Sequence, residues 1–183
     1  MIRRPRFKEE YAIVLDYLPH GEPIKGIRDP CIYALGTKYF TLLLLIPKRD
    51  AEINILEEVY IGEGERPKIR TVLRKIRYED LSPLAKDNLK NAIELLIKKN
   101  EKKFVDFFNN AGPINIKVHS LELLPGVGKV ILNRILEERE KKPFESLEDI
   151  KNRVKGLGDP IELLKDRIIK EIEGKERYRL FVP

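Results

Sequence analysis

The 183-residue sequence predicts an α+β chain in two parts, a small N-terminal β-barrel and an all-α C-terminal region. Three observations predict it. Up to Tyr78, β-prone runs alternate with Gly/Pro punctuation; from Ser82 onward the apolar spacing turns helical; and a glycine pair, Gly126 and Gly128, returns thirty residues later as Gly156 and Gly158.

Tyr11 to Leu18 is the first expected strand, ended by Pro19, Gly21 and Pro23, and residues 19–30 read as a loop. Cys31 to Leu35 and Tyr39 to Ile46 follow as two strands joined by Gly36-Thr37-Lys38, a hairpin-length link. Glu52 to Ile61 alternates in part through Ile53, Ile55 and Val59 and ends at Gly62 and Gly64. In Lys68 to Tyr78, Ile69, Thr71 and Leu73 alternate with Lys68, Arg70 and Arg74. The apolar phase then jumps to Ile76, which predicts a bulge near Arg74-Lys75. Five short strands in residues 10–78 point to a closed or nearly closed small barrel, OB-like in the first instance, with an SH3-like barrel as the alternative.

Ser82 is placed to cap a helix that Pro83 opens and that runs to Lys99, with Leu84, Asn88, Ala92, Leu95 and Leu96 near one face. A second helix over Glu101 to Asn110 gathers Phe104, Phe107 and Phe108 on one face and stops at Gly112-Pro113. Ser120 is expected to cap a helix leading to Leu123-Leu124-Pro125-Gly126-Val127-Gly128-Lys129, after which an amphipathic segment continues to Glu140. Ser146-Leu147-Glu148-Asp149 resembles a capping box, and a last helix over Pro160 to Glu173 turns Ile161, Leu164, Ile168 and Ile172 inward. These boundaries give an OB-like barrel over 1–80, connecting helices over 81–112, and a tandem helix-hairpin-helix domain with a basic tail over 113–183.

Composition narrows the function classes. Thirty-six Lys and Arg against 30 Asp and Glu leave a net charge of +6, a tilt toward a polyanionic partner. Residues 62–78 concentrate it, with Arg66, Lys68, Arg70, Arg74, Lys75 and Arg77 against Glu63 and Glu65, and Arg3, Arg4, Arg6 and Lys8 open the chain as a basic arm. A single cysteine, Cys31, excludes an internal disulfide and any multi-cysteine metal site. The longest apolar run, Leu42 to Ile46, is too short to cross a bilayer, so a cytoplasmic protein is expected. Charged residues make up 36%, glutamine is absent, and Cys and Met occur once each, a usage that suggests a thermophilic source.

The Gly126 turn carries the sharpest functional signal. Pro125 discourages continuation of the preceding helix, and the two glycines let the chain fold back where a Cβ would clash. A helix that restarts at once presents unpartnered N–H groups at its positive end, with Lys129 beside them, which suits a phosphate. Val127 is expected to point inward. The segment resembles a helix-hairpin-helix motif, whose families grip backbone phosphates without reading bases; an ordinary glycine-capped turn is the alternative. The second turn, Lys155-Gly156-Leu157-Gly158, has Asp159 and Pro160 where the first has Lys129 and Val130. Asp159 can cap the last helix and places a negative charge where a phosphate would sit, so this turn reads as structural.

Nearly the whole chain resembles an archaeal family described as predicted nucleic-acid-binding proteins with an OB-like barrel and a helix-hairpin-helix tail. The resemblance rests on Tyr11 to Pro19, Val59 to Gly62, Arg77 to Leu81, Phe107-Phe108-Asn109, Leu121 to Lys129, Pro143 to Ile150, Arg153 to Leu157 and Tyr178 to Val182. It implies an RNA-binding role.

The expected function is therefore non-catalytic binding of nucleic acid, RNA more than DNA, with no cofactor and no metal. Gly126, Val127, Gly128 and Lys129 form one expected contact. Lys68, Arg70 and Arg74 form another, with Tyr60 or Tyr78 stacking and Tyr33, Tyr39 and Phe40 as further aromatics that also suit a core. A protein-interaction scaffold that docks on a ribosomal or transcription protein is the alternative. Gly126 to Lys129 is no nucleotide-binding P-loop, because position 123 is Leu and position 130 is Val. His20 and His119 lack metal-like partners at helical spacing and read as surface or capping residues. Asp149 lies where some DNA glycosylases place an aspartate, but the β-rich first eighty residues and its place in the Ser146 cap argue against base excision.

Overall fold

A computed structural model describes residues 7–183, so the expected arm of Arg3, Arg4 and Arg6 lies outside the described residues. The chain falls into two compact units: the first runs through Ala92 and takes in Glu171–Pro183, and the second is Ile93–Lys170. Its class is mixed α+β: the described residues form a curled antiparallel sheet of five strands and five α-helices.

The sheet lies in the first unit. Its strands are β1 (Tyr11–Leu18), β2 (Cys31–Gly36), β3 (Leu42–Pro47), β4 (Glu58–Tyr60) and β5 (Ile69–Lys75), in the order β4-β1-β2-β3-β5 with every neighbouring pair antiparallel. β4 and β5 are the two edges, so the sheet is a half-barrel where the sequence suggested a closed or nearly closed barrel. One face gathers Ala12, Val14, Ile32, Ala34, Leu43, Leu45, Val59, Ile61 and Ile69. The alternation sends Ile13, Tyr33, Leu35, Leu42 and Leu44 to the opposite face, and these are buried too. Burial on both faces explains why β2 and β3 read as continuous apolar runs.

Four details differ from the sequence reading. The β2–β3 link spans residues 37–41, because the Glu9 carboxylate accepts the N–H groups of Lys38, Tyr39 and Thr41 and holds the chain out of the ladder. A Cβ at Gly36 would overlap that carboxylate. The fourth strand is three residues long instead of Glu52 to Ile61, since Leu56 sits at φ 65 and breaks the extended run. β5 carries two register shifts: Leu44 pairs with Arg74 and Leu45 with Val72, leaving Leu73 over, and Ile46 pairs with Thr71 and Pro47 with Ile69, leaving Arg70 over. The bulge thus falls one residue earlier than expected, with a second behind it, and Tyr78–Asp80 is a short 3-10 helix.

Helix α1 (Pro83–Lys99) starts as its cap requires, with Ser82 Oγ accepting from the Ala85 N–H. Ser82 also donates to Asp16 at 2.6 Å, and the buried Asn88 donates to the Leu15 carbonyl. The buried face is Ala85, Asn88, Leu89, Ala92, Ile93, Leu96 and Ile97, so Asn88, Ala92 and Leu96 of the expected stripe lie on it, whereas Leu84 and Leu95 are about half exposed. Residues 19–30 are a loop with a 3-10 turn over Pro23–Lys25.

In the second unit α2 (Glu101–Asn110) buries Phe104, Val105 and Phe108. A four-residue 3-10 helix, Ser120–Leu123, stands where a full helix was expected, and its cap is His119 rather than Ser120. The His119 Nδ1 accepts the Leu121 N–H at 3.1 Å, while the Ser120 hydroxyl donates to the Gly112 carbonyl. Then come α3 (Lys129–Lys141), α4 (Leu147–Arg153) and α5 (Pro160–Glu173). α4 is capped by Ser146 Oγ as the sequence indicated.

Candidate nucleic-acid interface

Around the first glycine turn, Leu121, Leu124 and Val127 are buried and the Val127 N–H closes onto the Leu124 carbonyl, which anchors the loop from below. Gly126 has φ +82, a conformation that disfavours any side chain. Gly128 stands at the N-cap of α3 in ordinary extended backbone, with no side chain capping the helix. A Cβ added at either glycine would meet nothing within 4 Å. The start of α3 is therefore open toward solvent, and its first N–H groups face a region that an anion can enter.

Lys129 is less free than its position suggests. Its Nζ lies 2.7 Å from Glu122 Oε1 and 3.1 Å from the Lys117 carbonyl. The lysine bond is the leading reason that the Glu122 carboxyl titrates below its ordinary value. Glu122 also accepts the His119 N–H, so one carboxylate joins the cap of the 3-10 helix to the start of α3. Beside them Ile116 is fully exposed and Val130 is 64% exposed.

The second turn repeats the backbone of the first but not its open surroundings. Gly156 has φ +84, but here a Cβ would meet Arg134 Nη1 at 2.9 Å and Ile131 Cδ1 at 3.1 Å. Arg134 donates to the Lys155 carbonyl, and Asp159 Oδ1 accepts the Ile161 N–H at the start of α5. The protein's own groups fill the place that stands open in the first turn. Asp149 is likewise engaged, accepting from the Glu145 N–H and from Arg153.

On the half-barrel the expected basic and aromatic residues divide. Lys68 is ion-paired with Glu57, and Arg70 faces Asp29 at 3.9 Å. Tyr33 and Phe40 are core. Tyr78 lies on the 3-10 helix with Lys86 over its ring, and Tyr39 meets Phe7 edge-on. Arg74 and Tyr60 of the expected set line one cavity, of about 770 Å³, where Arg66, Lys75 and Phe7 join them, and Tyr60 also borders a second cavity with Lys68. The sequence shows the charges of Arg66 and Lys75 but nothing that assigns them to this cavity. The Glu122–Lys129 pair and the Arg134 plug have no local sequence signal, since seven and twenty-one residues separate the bonded groups.

Similarity to known proteins bears on the same geometry. The family model described as "Protein of unknown function (DUF655)" matches residues 8–183. The chain belongs to the DUF655 family. The uncharacterized protein MJ0038 of Methanocaldococcus jannaschii is 43% identical over 181 residues, covering 98% of this chain and 82% of that one. The crystal structure of Af1531 from Archaeoglobus fulgidus, itself assigned to DUF655, superposes with a TM-score of 0.90 at 46% identity, covering 96% of this chain and all of that one. A DNA polymerase III PolC-type of Thermotoga maritima matches 62% of this DUF655 chain at 29% identity, over 9% of the polymerase. Among the described residues no group of three or more His, Cys, Asp or Glu side chains could hold a metal, and no helix is long and apolar enough to cross a membrane.

His119 makes the first turn sensitive to acid. Burial, and then the nearby Arg139 charge, hold its pKa below the ordinary 6.5, and its cap needs an unprotonated Nδ1. The unfolded chain therefore takes up a proton near 6.5 that the folded chain refuses, so stability falls as pH drops through 6.5 toward the lower folded value. Melting temperatures from pH 7.5 to 5 should show this loss in the wild type. His119→Asn, which can cap without titrating, should flatten it; equal slopes for the two proteins would remove His119 from the account.

Proposed function

We propose that the chain is a non-catalytic nucleic-acid-binding protein, with RNA favoured over DNA on the resemblance drawn from the sequence. In this reading the Gly126 and Gly156 turns belong to two helix-hairpin-helix units, and the first grips a backbone phosphate. One observation carries it: the start of α3 has no side-chain cap at Gly128 and open space at Gly126, while in the second turn Asp159 caps the Ile161 N–H at the start of α5 and Arg134 occupies the space beside Gly156. The N–H groups at Gly128 and Lys129 supply the contact, and Lys129 adds charge once Glu122 releases it.

Gly128→Ala tests this reading. The residue has φ −95 and ψ −168 and open space around its Cβ, so alanine fits the fold and obstructs only what approaches from outside. Affinity for a labelled RNA duplex should fall about tenfold with the melting temperature unchanged, and the salt slope should become shallower by about one for each lost phosphate. Unchanged affinity and slope would leave the turn a structural one.

Glu122→Gln should act in the opposite direction. Freeing the Lys129 ammonium from a carboxylate 2.7 Å away should tighten duplex binding about three- to fivefold, the size of a solvent-exposed charge pair. Weaker binding by this variant would mean that the pair itself positions the ligand. A second reading, a scaffold for a ribosomal or transcription protein, rests on the exposed Ile116 and Val130 beside the turn. Salt-insensitive binding that Val130→Ser abolishes would favour it.

A further inference from the structure

The half-barrel has its own opening, and nothing in the helical turn accounts for it. Because β4 and β5 are both edges, the sheet's inner core reaches solvent between them, and Leu43, Ile61 and Val72 form the floor of the 770 Å³ cavity. That volume lies in the range of sites that enclose one small ligand group. Tyr60 stands in the wall with a fixed ring, since its hydroxyl donates to the Glu63 carbonyl at 2.6 Å and its edge packs on Tyr11 at 5.3 Å. Phe7, 45% exposed, supplies a second aromatic.

The charges around the opening are unbalanced. Glu9 is used by the β2–β3 link and Glu63 faces Lys8. Arg66 gives its Nε to the Gly62 carbonyl, which directs the rest of its guanidinium along the rim. Among the described residues Arg74 and Lys75 are exposed and have no carboxylate partner, and Glu10 is the remaining acid. Two guanidiniums and the Lys75 ammonium, beside a Lys8 that faces Glu63, thus border an apolar floor with an aromatic wall.

We propose that this opening binds an unpaired nucleotide of a single strand, with the base on Leu43, Ile61 and Val72 against Tyr60 and the adjoining phosphates at Arg74 and Lys75. Apolar floor, fixed ring and unpaired cations match the three parts of that ligand: base face, stacking partner and phosphate. An added β-strand fits less well. The two bulges of β5 interrupt the hydrogen-bond spacing that a strand needs, β4 offers three residues, and cations contribute nothing to a peptide backbone. The inference rests on the reading of the chain as a nucleic-acid binder, but it uses none of the residues of the Gly126 turn.

The test uses the full chain, a fluorescein-labelled octauridylate and an RNA duplex of equal length. Arg74→Gln/Lys75→Gln alters two exposed side chains. It should weaken octauridylate binding about tenfold, flatten its salt slope by about 1.4, and leave duplex affinity within about twofold. Gly128→Ala should do the reverse, so failure of one site is distinguishable from failure of the other. With 5-iodouridine in the octamer, photocrosslinks should map to Tyr60 or Phe7. The proposal is overturned by octauridylate affinity that the folded double variant retains, by equal loss on both probes, or by crosslinks elsewhere. Displacement by uridine monophosphate as effective as by the octamer would overturn the strand in favour of a free nucleotide. Dimerisation that the double variant abolishes would give the face to a second copy of the chain.

Discussion

Replacing Arg153 by alanine is expected to destabilise the Ile93–Lys170 unit by about 3 kcal/mol. The guanidinium is 20% exposed and closes the link between α3 and α4. Its Nη2 donates to the Glu138 and Lys142 carbonyls at 2.5 and 2.7 Å, its Nη1 donates to Asp149 and Pro143, and its Cζ lies over the Phe144 ring, 4.6 Å from the ring centre. Removing it strips the carbonyls at the end of α3 of their donor and uncovers a buried aromatic. Arg153→Lys keeps the charge but loses the planar fork and the stacking, and should recover less than half of the loss. Acid should reproduce part of it. The Glu145 N–H, and then Arg153, hold the Asp149 carboxyl below its ordinary 3.8, so its contribution is present above that value and disappears as pH falls through the lower folded one. Chemical denaturation at pH 7 measures the main effect, and a loss below 1 kcal/mol would mean that water replaces the fork at little cost.

Glu171→Ala should release the C-terminal tail. The carboxylate is 1% exposed, and one oxygen accepts the consecutive N–H groups of Leu180, Phe181 and Val182 at 2.8, 2.9 and 3.0 Å. Charge-assisted bonds to three amides contribute on the order of 3 kcal/mol to holding this segment. Trypsin should then cut after Arg177 or Arg179 many times faster in the variant, since cleavage follows the population of the detached tail. Glu171→Gln keeps an acceptor oxygen without the charge and should fall between the two. An unchanged cleavage rate in Glu171→Ala would show that the apolar contacts of Leu180, Phe181 and Val182 suffice.

Local signals carried well from sequence to structure. Tyr11–Leu18 and Glu101–Asn110 stand at their expected bounds, and α1 runs from Pro83 to Lys99 because Ser82 and Pro83 dictate its start within one turn of chain. The Ser146 cap and the left-handed Gly126 and Gly156 follow from the same short-range chemistry. What was not legible depends on partners distant in the chain. Nothing near residues 37–41 announces that Glu9, about thirty residues earlier, will take their amides. Alternation in Glu52 to Ile61 was a true apolar pattern, but a single left-handed residue, Leu56, overrides it. The candidate site shows the same division: the glycines were readable as a turn, whereas the neutralising of Lys129 by Glu122, and of Lys68 by Glu57, required the fold.

The two edges of the half-barrel, unpaired among the described residues, also bear on how the protein survives its own synthesis. An open strand edge invites pairing with any other extended chain, most of all while copies are still folding. Here β4 is too short to seed such a ladder, and β5 interrupts its own edge twice, at Arg70 and Leu73, while Arg70, Arg74 and Lys75 keep it cationic. Straightening β5 by deleting Leu73 while neutralising Arg70 and Arg74 would restore a regular, uncharged template, and concentrated samples of that variant should form thioflavin-positive aggregate where the parent stays clear.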